Sequence, residues 1–488
     1  MNLNKSLLAI AVTSALVGCG SDDDNNNDTS KGGSSASFVT CNDATNVCTL
    51  DGVIDRDYTL TADKEWRLVG FTTVGTGGKR VETAADVAAV KAAGVTLTIE
   101  PGVHVKALGT GALMVTRGSK LIADGKKSDG TIDPITFSSA QDENFDGEGE
   151  WGGVIVQGFA PQVGPGEPRE VISCGDVVCN VKGEGGAEIG NYGGTDAADN
   201  SGVIRYVRIA EGGKVAGPNN EINGLTLQGV GHGTTVEYVQ VHNNLDDGIE
   251  WFGGTVNVKY AVLTGNDDDD LDFDEGYQGN IQHVLIRKNP TKSGPTGSND
   301  PRGIEGNSDL ELAPTEEDPN GAVKTTNAAI ANVTIIGSEV SNNAESKKGQ
   351  QPGVKLRGMV NTTLDKVAVS NFVKGCLEVK NSQEVNVKVS NVLCDTVALK
   401  NDAPQEGQVT MIDAADMAFS ESWAITNPEA ALNTSAAIDA VDNGSNFTFD
   451  PTDYIGAVKP GTAKADAWYN GWIIPGSLDQ VAAAAEAK

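Results

Sequence analysis

The chain reads TTVEYVQVHNNLDDGIEWFGGTVNVKYAVLTGNDDDDLDFDEGYQGNIQHVLIR from Thr234 to Arg287. When the segment 236–254 is moved forward by 22 residues, Tyr238 falls on Tyr260 and Asp247 falls on Asp269. A period of about 20 to 25 residues, with β-branched runs in each copy, is typical of a β-solenoid. One coil of a solenoid cannot bury its own apolar face, so the repeat predicts a stack of coils.

The composition favours a chain built mainly of β-strands. Of the 488 residues, 60 are glycine and only 5% are aromatic. This balance fits short strands joined by tight turns better than packed helices. A solenoid grows by adding coils, so the length is compatible with one long body.

The formal net charge is −31, from 36 basic and 67 acidic residues. Charge of this sign repels nucleic acid and anionic lipid head groups at long range. We therefore expect no nucleic-acid partner, and we favour cations, cationic polymers or neutral glycans as ligands.

The amino terminus predicts a signal peptide over residues 1–18. A basic start is followed by the apolar run LLAIAVTSALVG and then by Cys19, and this run is too short to span a membrane as a mature helix. The ending Leu16-Val17-Gly18-Cys19 resembles the lipobox of bacterial lipoproteins. The resemblance implies cleavage before Cys19, acylation of that residue, and attachment to the outer membrane, on its periplasmic face or at the cell surface.

Residues 19–37 are acidic and rich in Ser and Gly, which predicts a disordered tether behind the lipid. Six further cysteines fall into three pairs that are close in sequence. In an exported protein, an even number of cysteines favours disulfides over zinc or thiol catalysis. The predicted bridges are Cys41–Cys48, Cys174–Cys179 and Cys376–Cys394.

The stretch 95–140 reads VTLTIEPGVHVKALGTGALMVTRGSKLIADGKKSDGTIDPITFSSA. This alternation of strands with Pro-Gly and Gly turns resembles the opening coils of right-handed parallel β-helix lipoproteins on bacterial surfaces. The phrase EWGGVIV at 150–156 and the aromatic ending WYNGW at 468–472 continue the resemblance. It implies an all-β, right-handed parallel β-helix with amino-terminal and carboxy-terminal caps.

The predicted divisions are an amino-terminal cap at 38–94, the β-helix at 95–401 and a carboxy-terminal cap segment at 402–488. Within the first cap, residues 81–93 are compatible with a short helix. Caps are expected because an open solenoid end exposes apolar surface and unpaired strand edges.

One strand of each later coil can be aligned. Period-two alternation places one set of residues inside, namely Leu225, Ile249, Leu271, Ile304, Val354, Leu377 and Val397. The residue after each then points outward and forms a ladder of Thr226, Glu250, Asp272, Glu305, Lys355, Glu378 and Ala398. A Gly-rich excursion at 161–202 and polar insertions at 288–302 and 337–352 interrupt the rhythm, and insertions in solenoids often surround the binding face.

The densest chemical feature is the acidic run in two successive coils. Stacked strands lie about 4.8 Å apart, and two carboxylates at that distance repel by about 1 kcal/mol in water and about 3 kcal/mol at an effective dielectric of about 20. A hard cation such as Ca²⁺ would relieve this repulsion through oxygen ligands. The candidate metal ligands are Asp246, Asp247, Asp267, Asp268, Asp269, Asp270, Asp272 and Asp274.

Two other ways of reducing the repulsion between the carboxylates need no ligand. One carboxylate of each close pair can take up a proton, or salt bridges can form, for which Arg302 is well placed above Asp247 and Asp269. A catalytic carboxylate pair is a further reading of the same acids. The spacing matches neither the EF-hand loop nor the calcium-binding nonapeptide repeat, so the metal hypothesis rests on charge density.

Lys355 lies between Glu305 and Glu378 in the ladder, where cross-strand charge pairing explains it. Polysaccharide lyases with a β-helix use a Lys or Arg base beside a Ca²⁺-neutralised uronate. Lys355 and Arg302 are therefore the catalytic candidates, although no lyase motif is present. His283 takes the place of Tyr238 and Tyr260 in the repeat, which predicts a stacked ring rather than a metal ligand.

Three functions follow from these patterns. The first is a non-catalytic, lipid-anchored cell-envelope protein with a binding or structural role, in which Ca²⁺ orders the acidic turns. Its partner would be a glycan, a surface partner such as an outer-membrane protein, or a nutrient ligand. The second is a polysaccharide lyase or glycoside hydrolase that uses the groove between the insertions. The third is an accessory lipoprotein of an outer-membrane nutrient transporter.

Overall fold

The computed structural model describes residues 36–141, 143–162, 172–173, 178–185, 189–216, 221–289, 301–308, 326–338, 350–358, 360–380, 386–395, 400–401, 405–413, 415–433 and 435–479. The predicted signal peptide, Cys19 and nearly all of the predicted tether lie outside this set. The strands and helices of the described residues all belong to the unit Phe38–Lys488.

In the first half of the chain, the described residues form fourteen strands and one helix. In chain order they are β1 Val39–Asn42, β2 Val47–Leu50, β3 Val53–Ile54, β4 Tyr58–Leu60, β5 Glu65–Val74, α1 Ala84–Ala92, β6 Thr96–Ile99, β7 His104–Val115, β8 Lys120–Asp124, β9 Ile135–Ser139, β10 Val154–Gln157, β11 Ile172–Ser173, β12 Val178–Lys182, β13 Asn191–Tyr192 and β14 Gly202–Ala210.

The second half contains the remaining strands. They are β15 Leu225–Gln228, β16 Thr235–His242, β17 Ile249–Phe252, β18 Val258–Thr264, β19 Leu271–Asp274, β20 Gln278–Arg287, β21 Ile304–Gly306, β22 Asn327–Ile336, β23 Val354–Arg357, β24 Asn361–Ser370, β25 Leu377–Lys380, β26 Asn386–Cys394, β27 Lys400–Asn401 and β28 Gln405–Met411, followed by α2 Pro428–Ala431 and a 3-10 turn at Lys464–Asp466.

These strands form a right-handed parallel β-helix, as the repeat predicted. One sheet consists of the short strands β10, β15, β17, β19, β21, β23, β25 and β27, each paired in parallel with the next. The longer strands β14, β16, β18, β20, β22, β24 and β26 each contribute to the other two faces of the coil. Each coil therefore presents three faces, and the apolar side chains between them form the core.

A left-handed residue bends each long strand at the corner between its two faces. Residues on either side pair in register with the next coil, whereas the corner residue does not. This column has positive φ in every coil and consists of Tyr206, Tyr238, Tyr260, His283, Asn332, Lys366 and Asn391. Such a backbone is costly for residues other than glycine, so neighbouring contacts must hold it.

Ring stacking supplies part of that support. The rings of Tyr206 and Tyr238 lie 4.4 Å apart, those of Tyr238 and Tyr260 4.5 Å, and those of Tyr260 and His283 4.7 Å, all nearly parallel. The predicted stacked role of His283 is therefore confirmed.

The C-terminal segment (residues 415–433 and 435–479) lies along this column, not only at the end of the solenoid. Asn433 donates to the Asn391 side chain at 2.7 Å, and Lys366 donates to the Thr452 carbonyl at 2.7 Å. Further towards the first coils, the Trp472 ring meets Tyr238 edge-on at 5.9 Å. The segment thus runs back over the coils and covers their left-handed corners.

Parallel pairing also extends beyond the predicted limits of the β-helix. At the amino-terminal side, β2 already pairs in parallel with β5, inside the predicted cap at 38–94. At the other side, β28 pairs in parallel with β26, after residue 401. The short helix predicted at 81–93 forms as α1, with Thr83 as its capping residue.

The register of the predicted ladder is correct from Thr226 to Glu378. Its last member is wrong, because Lys400 and not Ala398 pairs with Glu378. A shift of two residues preserves the inside–outside alternation of a strand, so the apolar pattern alone could not distinguish the two registers. Residues 396–399 lie outside the described set.

Two predicted disulfides are confirmed, Cys41–Cys48 and Cys376–Cys394. Cys179 is buried, whereas Cys174 lies outside the described residues. Among the helices of the described part of the chain, none is long and apolar enough to cross a membrane.

Candidate functional site

The outward side of the short-strand sheet carries the chemistry, and we call it the ladder face. It is defined by the in-register column Thr226, Glu250, Asp272, Glu305, Lys355 and Glu378. Column neighbours are about 4.8 Å apart along the solenoid. The sequence therefore stacks acidic and basic groups at fixed intervals on one side of the molecule.

The acidic turns enter this sheet in register with one another. The backbone N–H of Asp269 donates to Asp247 Oδ1 at 2.9 Å, and that of Arg302 donates to Asp269 Oδ1 at 3.1 Å. Each carboxylate thus accepts a hydrogen bond from the coil above it. This pattern fixes the turn carboxylates beside the ladder instead of letting them turn out to solvent.

Arg302 supplies one fixed cation within the cluster. Its Nη1 lies 2.7 Å from both Asp269 Oδ2 and Glu305 Oε2, and its side chain is only 1% exposed. Gln351 accepts from its Nε at 3.2 Å. Of the two acids predicted beneath Arg302, Asp269 forms the salt bridge, whereas no ion pair with Asp247 is found among the described residues, and Glu305 is the second partner.

Glu305 is the most strongly paired acid of the ladder. Lys355 Nζ lies 3.1 Å and Arg357 Nε 2.8 Å from Glu305 Oε1, in addition to Arg302 on the other oxygen. Burial alone would raise its pKa, but the three cations lower the pKa of Glu305 to about 2. Glu305 is therefore ionised at neutral pH.

Lys288 supplies a second fixed cation, in the turn 266–270. Its buried ammonium lies 2.8 Å from Asp270 Oδ2 and donates to the carbonyl oxygens of Asn266 and Asp268. The ammonium balances the charge of an acid that is completely buried, and Asn266 donates to the other oxygen of Asp270. The lysine thus takes the place of an ion within that turn.

Three carboxylates of the cluster form their contacts without Arg302 or Lys288. They are Asp247, Glu250 and Asp272, and we call them the carboxylate trio. One oxygen of each lies within 4.8 Å of the others. Asn223 donates its side-chain amide to Glu250, and Asp269 donates its N–H to Asp247. Within the described part of the chain, no Lys or Arg forms an ion pair with any of the three.

The electrostatics of the trio favour either protons or a cation. Burial, and then the neighbouring carboxylates, raises the pKa of Asp247, of Glu250 and of Asp272 well above the ordinary values. After burial, the strongest influence on the pKa of Glu250 is the charge of Glu184, which lies just after β12 within the excursion at 161–202. In contrast to Glu305, the trio has more negative charge than its protein surroundings neutralise.

Two oxygens at the trio have no hydrogen-bond partner among the residues that the structure describes. Thr226 Oγ1, on the column neighbour of Glu250, is unpartnered although its residue is 2% exposed, and Asp272 Oδ1 is also unpartnered. Carboxylate and hydroxyl oxygens without partners are suitable ligands for a hard divalent cation. The residues present therefore fit Ca²⁺, with the trio as its charged ligands.

The predicted metal ligands are only partly brought together. The described residues contain three groups of converging carboxylates, Asp246–Asp247–Asp268, Asp247–Glu250–Asp272 and Asp269–Asp272–Glu305. Asp267, Asp270 and Asp274 belong to none of these three groups. Arg302 already contacts two members of the last group, so the group centred on the trio is the best candidate for a cation.

Sequence reasoning placed Glu250 and Glu305 on the ladder but did not include them among the metal ligands. It also missed Asn223, which precedes β15 and holds Glu250, and Glu184 in the excursion. The sequence contains a signal for Glu250, because the alignment of the repeated strands places it next to Asp272 in the ladder. No local pattern marks Glu184, since only the folded excursion brings it to the trio.

Lys355 and Arg302, the two catalytic candidates, differ in accessibility. Lys355 is 17% exposed and pairs with Glu305, whereas Arg302 is almost fully buried. Beyond Lys355, the face becomes basic, with Arg357 45% and Lys380 40% exposed. The ladder face thus changes from acidic to basic along the solenoid.

Two histidines of the central coils have structural surroundings of their own. His283 stacks on Tyr260, and His242 is buried and bonded to Thr264 Oγ1 at 2.7 Å. Burial lowers the pKa of both imidazoles to about 4. Both are therefore neutral at physiological pH.

Comparison with known proteins agrees with this architecture. The family model described as a pectate-lyase-like β-helix domain matches residues 52–473. No curated protein and no solved structure is significantly similar to the chain. With the parallel coils and a match over most of its length, the chain belongs to the family of pectate-lyase-like β-helix domains.

Proposed function

We propose that the protein binds an acidic polysaccharide along the ladder face, and that a divalent cation held by the carboxylate trio forms the centre of the site. The observation that carries the proposal is the convergence of Asp247, Glu250 and Asp272 without a fixed cation. The neighbouring ladder acids Glu305 and Glu378, by contrast, each form ion pairs with lysine or arginine. A cation at the trio would neutralise its charge and still leave coordination positions for the carboxylate of a ligand.

The proposed cation is Ca²⁺. It accepts six to eight oxygen ligands in flexible geometry, which suits carboxylates, a hydroxyl and water on a solenoid surface. The family name points to pectate, a polymer of uronic acid, and such a polymer could contribute its own carboxylates to the ion. Protonation of the trio is the competing explanation, and it predicts no specific effect of Ca²⁺.

The basic end of the face supports the same ligand class. Arg357 and Lys380 are partly exposed and lie on adjacent coils of the ladder sheet. Their positive charge would attract uronate groups that do not reach the cation. A neutral glycan would gain from neither feature.

The test is calorimetric titration of the protein with polygalacturonate in Ca²⁺ or in EDTA, with a neutral glucan as the control ligand. We expect binding of polygalacturonate only in Ca²⁺. Asp272→Asn should weaken binding at least tenfold, because it removes one charged ligand of the ion. The exposed Asp453→Asn is the matched control and should bind like the wild type. Equal binding in EDTA would refute the role of the cation.

A second candidate function is polysaccharide lyase activity. It is favoured by the position of Lys355, which follows Asp272 and Glu305 in the column and so lies about 10 Å from the trio. A base there would remove the proton beside a uronate carboxylate, the adjacent glycosidic C–O bond would break, and an unsaturated sugar end would form. Lys355→Met should abolish the ultraviolet absorbance of such ends while the variant still folds, with Glu305 keeping Arg302 and Arg357 as partners. Absence of any absorbance change with the wild type would leave the binding function alone.

The proposed location is the outer membrane, through lipid on Cys19. The support is the lipobox-like sequence at Leu16–Cys19. In cells fed with labelled palmitate, the wild type should incorporate label and Cys19→Ser should not. An unlabelled wild type recovered from the soluble fraction would contradict this proposal.

A further inference from the structure

Asp270 and Lys288 lie in contact inside the solenoid, and neither belongs to the carboxylate trio. Lys288 Nζ lies 2.8 Å from Asp270 Oδ2, and the two side chains are 1% and 0% exposed. Removing both charges from water is costly, and their attraction compensates for that cost only where hydrogen bonds satisfy the remaining atoms of both groups. A neutral bond between the two groups would avoid the cost altogether.

Asp270 occupies a position that is glycine in the two coils before it and in the two coils after it. It comes directly before β19, and the residues that come directly before the neighbouring short strands are Gly224, Gly248, Gly303 and Gly353. At three of these glycines a Cβ would lie 2.3 Å from a core side chain, as at Gly303, where it would meet Ile335. The position thus faces the apolar core and normally holds no side chain.

One other coil between β15 and β25 carries a side chain at this position, and that side chain is covalently bonded. Cys376 comes directly before β25, in register with Gly353, and forms the disulfide with Cys394 at the end of the next long strand, β26. Lys288 directly follows the end of the long strand β20. It lies 18 residues after Asp270, the same separation as in the disulfide. The lysine and the aspartate therefore meet where another coil is covalently closed.

The surroundings of the pair place an amine and a carboxyl group as the reactants of an amide bond. Lys288 Nζ donates to the carbonyl oxygens of Asn266 and Asp268, which fixes the nitrogen. The Asn266 side-chain amide donates to Asp270 Oδ1 at 2.8 Å. Because Oδ2 is bonded to Cγ at about 1.2 Å, Nζ lies within about 4 Å of that carbon, which is close to the distance of attack.

The contact between Nζ and the carboxyl group is not that of a hydrogen bond. Asp270 Oδ2 has no hydrogen-bond partner among the residues that the structure describes, although Lys288 Nζ is 2.8 Å away. The nitrogen thus approaches the carboxyl group outside the direction of a hydrogen bond, while its hydrogens serve the two carbonyl oxygens. Oδ2 is the oxygen that an attack on Cγ would release.

We propose that Lys288 and Asp270 form an intramolecular isopeptide bond in the folded protein. The ammonium passes one proton to Oδ2, and the nitrogen lone pair then forms the bond to Asp270 Cγ. The Asn266 N–H stabilises the negative charge that develops on Oδ1. A second proton moves from the nitrogen to Oδ2, the C–O bond breaks, and one water molecule leaves. The product is a neutral amide whose single N–H keeps one of the two carbonyl oxygens as its acceptor.

The bond would act on the chain as the disulfide does. It joins the turn 266–270 to the end of β20 and closes a loop, which lowers the entropy of the unfolded chain. Unlike Cys376–Cys394, it would persist in a reducing agent. The coil that carries most of the acidic run would then be covalently closed under all redox conditions.

The test is the intact mass of the full-length protein after reduction of its disulfides. Formation of the bond removes one water, and Lys288→Arg cannot form it. The mass of Lys288→Arg should therefore exceed that of the wild type by the exchange of Lys for Arg plus one water. Lys459→Arg is the matched control, because Lys459 forms an exposed pair with Asp453 at 2.9 Å, and its mass should differ by the exchange alone. Equal mass differences for the two variants would overturn the inference.

A second measurement needs no variant and so does not depend on the folding of Lys288→Arg. A chymotryptic digest of the reduced wild type cuts the chain between residues 270 and 288, at Phe273 and Tyr277. Tandem mass spectrometry should find Asp270 and Lys288 in two peptides joined through their side chains. If the two peptides are recovered only as separate species, the pair is an ion pair and nothing more.

Discussion

At the scale of single residues, the ladder face shows two ways of holding acids close together. Glu305 receives three cations from the chain, and the pKa of its carboxyl is lowered to about 2. Asp272, its column neighbour, forms no ion pair with any described residue, and burial raises its pKa. The pKa values of two acids one coil apart are thus shifted in opposite directions, because Arg302 and Arg357 form their ion pairs with Glu305.

The trio should make stability depend on pH when no cation is bound. Because its folded-state pKa values lie above the ordinary 3.8 of Asp and 4.5 of Glu, the folded protein holds more protons than the unfolded chain above about pH 4. The free energy of unfolding should therefore fall as the pH rises through those raised values. In EDTA, we expect the melting temperature to decrease as the pH rises above about 4, and Ca²⁺ should reverse the decrease.

This prediction is tested by the difference in melting temperature between the wild type and Asp272→Asn, measured in EDTA at each pH. Three buried histidines have pKa values lowered to about 4 and act in the opposite direction below their ordinary value of 6.5, namely His104, His242 and His283. Both proteins contain these three histidines, so their effect cancels in the difference in melting temperature. A difference in EDTA that does not change with pH would show that the trio keeps ordinary pKa values.

Arg302 should be far more important for stability than exposed arginines. Arg302→Met would leave Asp269 and Glu305 buried with fewer partners, which costs about 3–5 kcal/mol of the free energy of unfolding. Denaturant unfolding measures this loss. The matched control is Arg56→Met, because Arg56 pairs with Asp55 at the surface, and its unfolding midpoint should not change. Similar midpoints for the two variants would contradict the structural role of Arg302.

At the scale of elements, the C-terminal segment and the left-handed corners depend on each other. Asp450 illustrates this, because its carboxylate accepts from Lys259 Nζ at 2.7 Å and from the Tyr260 hydroxyl at 3.2 Å, and it lies 3.2 Å from His283 Nε2. These residues come from two successive coils. One acid of the segment therefore holds two strained corners.

Asp450→Ala should loosen the segment without unfolding the coils. The loss of three partners should lower the free energy of unfolding by about 1 kcal/mol, since the carboxylate is partly exposed. Limited proteolysis should cut the variant faster within residues 435–479, and mass spectrometry identifies the sites. Asp453→Ala, which removes an exposed pair with Lys459, is the control and should be cut like the wild type. Equal cutting of both variants would show that Asp450 does not hold the segment.

Much of the β-helix was predictable because strand periodicity and the 22-residue repeat are local signals. The inward position of Leu225 and the column of Glu250 and Asp272 follow directly from them. The course of the C-terminal segment was not predictable, since its contacts join residues as distant in sequence as Arg208 and Trp472. For the same reason, no sequence pattern could reveal that Glu184 approaches Glu250.

At the scale of the whole molecule, the C-terminal segment covers one side of the solenoid. Val262 and Leu285 lie on successive coils and are completely buried, and their cover is an apolar cluster that includes Val458, Tyr469 and Trp472. In an isolated solenoid, these side chains would face solvent. Repeat proteins need such covering surfaces to remain soluble.

A chain that ends at residue 413 should therefore associate. Removal of the C-terminal segment uncovers the stacked rings of Tyr238 and Tyr260 together with Val262 and Leu285, a contiguous apolar surface on parallel strands. Light scattering after size-exclusion chromatography should show aggregates or higher oligomers, where the full chain elutes as one discrete species. Trp472→Ala in the full chain is the milder comparison and should lower the melting temperature without causing association. A truncated chain that is monodisperse and melts like the full protein would show that the coils do not depend on this cover.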